Sequence, residues 1–330
     1  MLVLAGAYSF GEIAFAIMLV LTACGCFLVG INLMSRGFVQ ATLKSESFFT
    51  RGFNSKTRFG GVGFGFIHSA IAQSSDVTAV TVVRLADLGT ITLFQACACI
   101  IGANIGTTIT TFIASLQAYE KLIPIFSFLA FIGAIPLLSK KKPLKIFGEV
   151  VAGFGILFIG LNLLHQYTND DSFKYIIGLL FGFTEMPILL MAIGVGLTMI
   201  VQSSSVVTCM VVFLVGSGQI SLASALCLVA GANIGTCITS WIAALGSSRT
   251  SRRTAMFHTL FNLVGAAVFS AVIYIPAIRN PFLGWANSIL VDEPEIKVAL
   301  FHLAFNLSAA LVMIPLLRPC VWVCKKIVRH

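Results

Sequence analysis

Apolar residues along this chain come in long blocks, unlike the alternation of a half-buried strand or the one-sided stripe of a soluble helix. Blocks at 13–34, 122–138, 146–164, 219–245, 254–278 and 298–317 lie near the roughly 20 residues that carry a helix across a bilayer. A seventh, 90–117, is interrupted by Asn104 and a pair of glycines. The bilayer core holds no water for exposed N–H and C=O groups, so each block is expected to be a helix, giving about seven spans. Two segments break the pattern. Residues 60–88 carry Gly60, Gly61, Gly63 and Gly65, then Gln73-Ser74-Ser75-Asp76; residues 186–216 carry Gln202-Ser203-Ser204-Ser205. Each is too interrupted for one clean span and predicts a re-entrant helical hairpin with its polar tip at mid-membrane.

These interruptions recur in register. The Gln-Ser-Ser run at 73 returns at 202, and Gly102-Ala103-Asn104-Ile105-Gly106-Thr107 returns as Gly231-Ala232-Asn233-Ile234-Gly235-Thr236, both at an offset of 129 residues. At that offset, 22 of the 44 positions in 73–116 are identical to those in 202–245. A polar, glycine-broken segment duplicated inside an apolar chain marks a transporter built from internal repeats, with its site where they meet.

Charge sets the direction of each copy. Arg36, Lys44, Arg51, Lys56 and Arg58 follow the first block, and Lys140, Lys141, Lys142 and Lys145 follow 122–138. Arg249, Arg252 and Arg253 follow 219–245, and Lys325, Lys326 and Arg329 follow the last block. The acidic runs Asn169-Asp170-Asp171 and Asp292, Glu293, Glu295 fall on the other face. With each hairpin entering and leaving on one side, every basic cluster is cytoplasmic and the two repeats are antiparallel. The expected fold is an all-α integral membrane protein with two inverted-topology repeats, at 10–139 and 146–279. Each holds a re-entrant hairpin and a broken transmembrane helix, and a C-terminal transmembrane helix with a basic tail follows over 297–330. The N-terminus is placed outside and the C-terminus in the cytoplasm of a multi-pass cell (plasma) membrane protein.

Composition narrows the class. Hydrophobic residues make up 58% of the chain and charged residues 10%, with a mean hydropathy of +0.99; a soluble domain carries about 25% charged residues. The net charge of +9 is explained by topology, so no nucleic-acid partner is read. Cys24/Cys26 and Cys97/Cys99 are spaced too tightly, in segments too apolar, for a zinc site. The nine cysteines read as buried, reduced thiols. The N-terminus shows neither a basic n-region nor a clear cleavage site, so no cleaved signal peptide is read.

A half-helix starting at a Gln-Ser-Ser tip aims unpaired N–H groups and a positive dipole end at whatever lies beyond it. Serine hydroxyls donate to an oxyanion and can also ligate sodium. Two tips entering from opposite faces would grip one small anion at the midplane. The Gly-Ala-Asn-Ile-Gly-Thr runs invite local unwinding, freeing carbonyls for cations and N–H groups for anions. The alternative is helix packing through small residues, which by itself does not require Gln and Asn in hydrocarbon.

The pairing of these two motifs, each present twice, resembles the type II sodium–phosphate cotransporter family and its bacterial relatives. The resemblance runs from Gly30-Ile31-Asn32-Leu33-Met34 through the C-terminal span. It includes His258-Thr259-Leu260-Phe261-Asn262 and His302-Leu303-Ala304-Phe305-Asn306, which look like that family's His-x-x-Phe-Asn segments. It implies inverted repeats, two Gln-Ser-Ser hairpins flanking phosphate, sodium as the coupling ion, and no covalent chemistry or other cofactor. Carried over, Gln73, Ser74 and Ser75 and then Gln202, Ser203 and Ser204, together with Asn104 and Asn233, are the expected phosphate ligands. Asp76, Thr107, Ser205, Thr208 and Thr236 are the expected cation ligands. Partners are then inorganic phosphate, sodium and membrane lipid, and a homodimer is a possible assembly.

The chain departs from that pattern at two places. Asp76 stands where the family carries a third serine; a carboxylate repels phosphate, so Asp76 is expected to face sodium or a proton, with an ion pair to Arg84 as the structural alternative. The first repeat has no His-x-x-Phe-Asn, its equivalent being Leu129 to Gly133, which leaves His258 and Asn262 without a symmetry mate there. His258 and His302 are expected near opposite membrane faces as caps or interfacial donors. His68 reads as a packed histidine, with a proton relay as the alternative. Other readings are a transporter or exporter of another small anion, a passive channel, and an intramembrane serine hydrolase. The last needs a base within reach of one activated serine, but no Gly-x-Ser-x-Gly elbow appears and the serines come as a duplicated polar run.

Overall fold

A computed structural model describes residues 9–42, 52, 55, 57–168, 171–181, 186–275, 277, 280–281 and 292–329. The expected topology markers Lys44, Arg51, Lys56, Asn169 and Asp170 lie outside the described residues. The helices are α1 (Phe10–Thr42), α2 (Arg58–Ala72), α3 (Ser75–Asp87), α4 (Leu93–Gly106), α5 (Thr108–Ser115), α6 (Ile123–Leu137), α7 (Lys142–Thr168) and α8 (Asp171–Phe181). They continue as α9 (Pro187–Val201), α10 (Ser204–Gly216), α11 (Leu222–Gly235), α12 (Cys237–Ala244), α13 (Arg249–Tyr274), α14 (Pro294–Met313) and α15 (Leu317–Ile327). Among the described residues, six helical stretches are long and apolar enough to cross a membrane: Phe10–Ala41, Leu93–Ser115, Lys142–Tyr167, Leu222–Ala244, Arg249–Val272 and Pro294–Met313. The chain is thus a helical, multi-pass membrane protein. The remaining expected span, 122–138, forms only the 15-residue α6, about 22 Å long at 1.5 Å per residue.

The sequence repeat is a repeat of structure. Adding 129 to the bounds of α2, α3, α4 and α5 gives those of α9, α10, α11 and α12 without a residue's difference. Gly89 and Gly218, both at φ +69°, turn the chain after each second arm, a conformation open to glycine at little cost. A third repeated run, at an offset of 130, appears in α1 and α7: Gly30-Ile31-Asn32-Leu33-Met34 and Gly160-Leu161-Asn162-Leu163-Leu164. These two helices touch backbone to backbone, Gly30 against Leu157 and Gly160 against Phe27, each contact the counterpart of the other. With α6, they form a sheaf held by small residues.

The segment Leu93–Ser115 is interrupted at a single residue of its motif, Thr107, between α4 and α5. Thr107 keeps right-handed helical torsions (φ −65°, ψ −20°), and its N–H still reaches Ala103 O; Thr236 does the same in the other copy. The glycines serve close approach. Gly102 abuts Val62 and Phe66 of α2, and Gly231 abuts Met191 of α9. Packing of the first hairpin arm on the interrupted helix therefore uses the residues expected to melt it.

Packing also corrects the missing symmetry mate. The helix holding Leu129 to Gly133, α6, lies against α7. Instead α14 packs on α5, α10 and α11, as α13 packs on α12, α3 and α4. His302 and Asn306 on α14 are thus the counterparts of His258 and Asn262 on α13. Contacts across the repeats are reciprocal, α3 with α12 and α10 with α5, as in a two-fold relation. The expected basic tail is a helix, α15, buried at Leu317, Val321 and Cys324.

Candidate functional site

Each polar tip is the shortest break that still finishes one helix and starts the next. Gln73 (φ 51°, ψ 28°) ends α2 in the left-handed conformation, with its N–H on Ser69 O. Ser74 then adopts extended torsions and caps α3, its Oγ accepting from Val77 N–H at 3.2 Å. Gln202 (φ 55°, ψ 29°) and Ser203 repeat the arrangement between α9 and α10. Left-handed torsions cost a non-glycine residue roughly 1–2 kcal/mol, and both copies keep glutamine there. A capping Oγ that accepts from its helix still has its own hydrogen to donate outward.

The tips face one cavity of about 260 Å³, lined by Gln73, Ser74, Gln202, Ser203, Asp76 and Ser205, with Asn32 and Ser35 of α1. The two ends differ in commitment. Gln73 is buried, its Nε2 on Ala70 O at 2.6 Å and its Oε1 taking a hydrogen bond from Thr110 at 3.1 Å. Gln202 is exposed.

Asp76 reaches across to the other repeat. Its Oδ1 accepts from Thr236 Oγ1 at 2.8 Å and Thr239 Oγ1 at 2.9 Å, and the backbone N–H of Ser204 also points at the carboxylate. Thr236 Oγ1 lies 3.0 Å from Ser204 Oγ. The alternative ion pair with Arg84 does not form; the only ion pair among the described residues joins Lys174 and Asp171.

The other expected ligands stand off the cavity wall. Ser75 and Ser204 are buried in the first turns of α3 and α10. Thr107 and Thr208 are also buried. Asn104 and Asn233 are buried, each Nδ2 donating to the carbonyl four residues back at 2.8 and 2.9 Å.

Neither His258 nor His302 caps its helix; the caps of α13 and α14 are Ser248 and Glu293. His302 Nδ1 meets Thr111 Oγ1 at 2.7 Å, and His258 Nδ1 meets Ser240 Oγ at 2.7 Å; Thr111 and Ser240 are repeat equivalents, and both histidines are buried. His302 Nε2 also reaches Asn233 Oδ1 at 3.2 Å. In the other half, His258 Nε2 and Asn104 Oδ1 have no partner among the described residues. His68 is buried and bonds Thr78 Oγ1 at 2.9 Å.

Sequence reasoning missed Asn32, Ser35, Thr110 and Thr239. The last two carried a signal: Gly-Thr-x-Ile-Thr ends both motif copies, and a threonine three residues on shares a helix face with the first.

The Na+/Pi-cotransporter family profile matches residues 26–166 and 171–280. "Uncharacterized protein YqeW" of Bacillus subtilis is 30% identical over 254 residues, 76% of this chain and 78% of that protein. "Putative inorganic phosphate export protein YjbB" of Escherichia coli K12 is 29% identical over 263 residues, 79% of this chain but 46% of that protein. Human "Sodium-dependent phosphate transport protein 2C" is 45% identical over 92 residues, 27% of this chain and 15% of its own. No solved structure matches the chain.

Proposed function

Because the chain belongs to the Na+/Pi-cotransporter family, whose members are transporters rather than enzymes, we propose that it moves inorganic phosphate across a cell membrane by sodium-coupled alternating access. The observation that carries this reading is the convergence of both Gln-Ser-Ser tips on one cavity. Phosphate lies between the tips, taking hydrogen bonds from the hydroxyls of Ser74 and Ser203 and from Gln202, at the positive ends of α3 and α10. Ser75, Ser204, Gln73, Asn104 and Asn233 support that shell from behind. Sodium sits beside Asp76 and Ser205, where Thr236 turns an oxygen lone pair to the cation and Thr107 and Thr208 serve as reserve hydroxyls. The cation lowers the cost of holding a phosphate dianion in a low-dielectric cavity.

In this reading the two-fold relation between the repeats lies in the membrane plane, so the copies are inverted and each helix pair around a tip is re-entrant. The basic loops at 140–145 and 249–253 and the end of α15 then lie in the cytoplasm.

The test is purified protein in liposomes given labelled phosphate under an inward sodium gradient. Sodium-dependent uptake that is lost in Gln202→Ala and Ser204→Ala, with folding retained, is the expected result. Uptake indifferent to sodium refutes the coupling, and no phosphate flux in either direction refutes the substrate. A second reading, export, draws support from the name of the Escherichia coli relative; gradients reversed in the same liposomes separate the two.

A further inference from the structure

A larger groove, of about 520 Å³, runs outward from the candidate site between α3 and α12. Asp76 and Gln202 form part of its inner wall as well as that of the tip cavity, so these side chains separate the two spaces. Arg84, two helical turns further along α3, lines the same groove and is exposed. Eight residues separate it from Asp76, about 12 Å along the helix axis.

The repeat supplies an internal comparison. Shifted by 129, the groove's wall Val80, Thr81 and Arg84 becomes Cys209, Met210 and Phe213. Cys209 and Phe213 are each 1% exposed, packed in the core beside the α1 and α7 sheaf. One repeat therefore has this groove open and the other has it filled, with a cation at the open end where the filled copy has a phenylalanine. On its buried side, α3 is tied to the first turn of α13, where Ser251 Oγ donates to Val83 O at 3.1 Å. Asp87, near Arg84, accepts from Ser248 N–H at 2.6 Å and is not part of the groove wall, so the charged side chains lining the groove are Asp76 at its inner end and Arg84 at its outer end.

We infer that this groove is the water-filled cytoplasmic vestibule of the transporter, and that Arg84 is the residue that makes it select anions on the way to the tips. A cation at the mouth of a cleft with low-dielectric walls focuses its field along the cleft and raises the local concentration of anions, with effects on rates of about 10-fold to 1,000-fold. The inference takes its sidedness from the topology proposed above. Arg84 touches neither tip, so its role is to admit and position the anion.

The experiment is thiol labelling of full-length protein carrying Thr81→Cys, read at the peptide level against the native Cys209, the buried repeat equivalent of the groove residue Val80. Anionic and cationic methanethiosulfonates of matched size are applied to inside-out vesicles and to intact cells. Thr81→Cys should react from the cytoplasmic side, faster with the anionic reagent, and native Cys209 should be protected from both. Arg84→Gln should lower the anionic-to-cationic rate ratio by about tenfold, and Arg84→Lys should restore most of it. These readouts need no phosphate flux, so they stand apart from the transport assay. Failure of both reagents to reach Thr81→Cys, as in a lipid-filled groove, overturns the vestibule. A ratio unmoved by Arg84→Gln overturns its role, and labelling only from the outer side overturns the sidedness.

Discussion

Gly63 and Gly65 sit two residues apart on α2, and the same substitution should move stability in opposite directions. Gly65 faces α4. A methyl group there would drive into the Cys99 carbonyl oxygen and lie 2.8 Å from its carbon and 2.9 Å from its Cα. Those atoms are backbone and cannot rotate away, so α2 and α4 must separate by an appreciable fraction of an ångström. Overpacking of this kind costs about 1–3 kcal/mol, and a rigid obstacle puts Gly65→Ala toward the upper end. At roughly 2–4 °C per kcal/mol for a large domain, the melting temperature should fall by about 5–10 °C. Gly63 meets nothing within 4 Å. There, alanine removes unfolded-chain freedom at no steric cost, for a gain of about 0.4–1 kcal/mol. Size-exclusion chromatography with fluorescence detection, after heating detergent-solubilised protein, reads both shifts. Equal shifts would show that α2 and α4 do not meet at Gly65. Because that contact sets where α2 delivers Gln73, Gly65→Ala should also lower phosphate uptake, and Gly63→Ala should leave it unchanged.

Three further outcomes are expected. Asp76→Ser should change the sodium and pH dependence of phosphate flux more than its apparent phosphate affinity; a pure affinity change would move Asp76 into the anion site. His302→Leu strands Asn233 Oδ1 as well as Thr111, whereas His258→Leu strands only Ser240, so His302→Leu should cost about 1–2 kcal/mol more, and matching melting temperatures would refute that difference. The Ser248 N–H holds the Asp87 carboxyl below the usual carboxylate range. The resulting stabilisation is present above the ordinary aspartate value of about 3.9 and is lost as pH falls through the lowered one. Asp87→Asn should remove that part of the acid-side stability loss, and an unchanged acid limb in thermal melts would disprove the anchor.

The repeat made much of this fold legible. A constant offset in the chain became a constant offset in helix bounds, because turn and cap residues at the same spacing stop and start helices at the same places. It did not disclose the partner of α13: His302 follows His258 by 44 residues, outside the repeat register, and only packing makes them equivalents. Nor did the sequence favour an intact helix at Asn104. Asn in an apolar helix suggests a break, but here its amide is satisfied by the carbonyl one turn back, and the glycines beside it are used by α2. At the tips, residue types located the cavity. Which hydroxyls Asp76 would meet depended on how one repeat lies against the other, and no local pattern encodes that.

The place of α14 in the bundle has a consequence for how the chain is made. Thr111 belongs to the first repeat and its partner His302 lies 191 residues later. At about 5–20 residues per second, the ribosome needs roughly 10–40 s to supply it. During that interval α5 has no α14 to pack on, and the hydroxyl of Thr111 waits without its histidine. The amino-terminal half is therefore an assembly intermediate and not a domain that could be harvested alone. A chain arrested before residue 294 should depend on the insertion machinery, or fall to membrane proteases, until its last spans arrive.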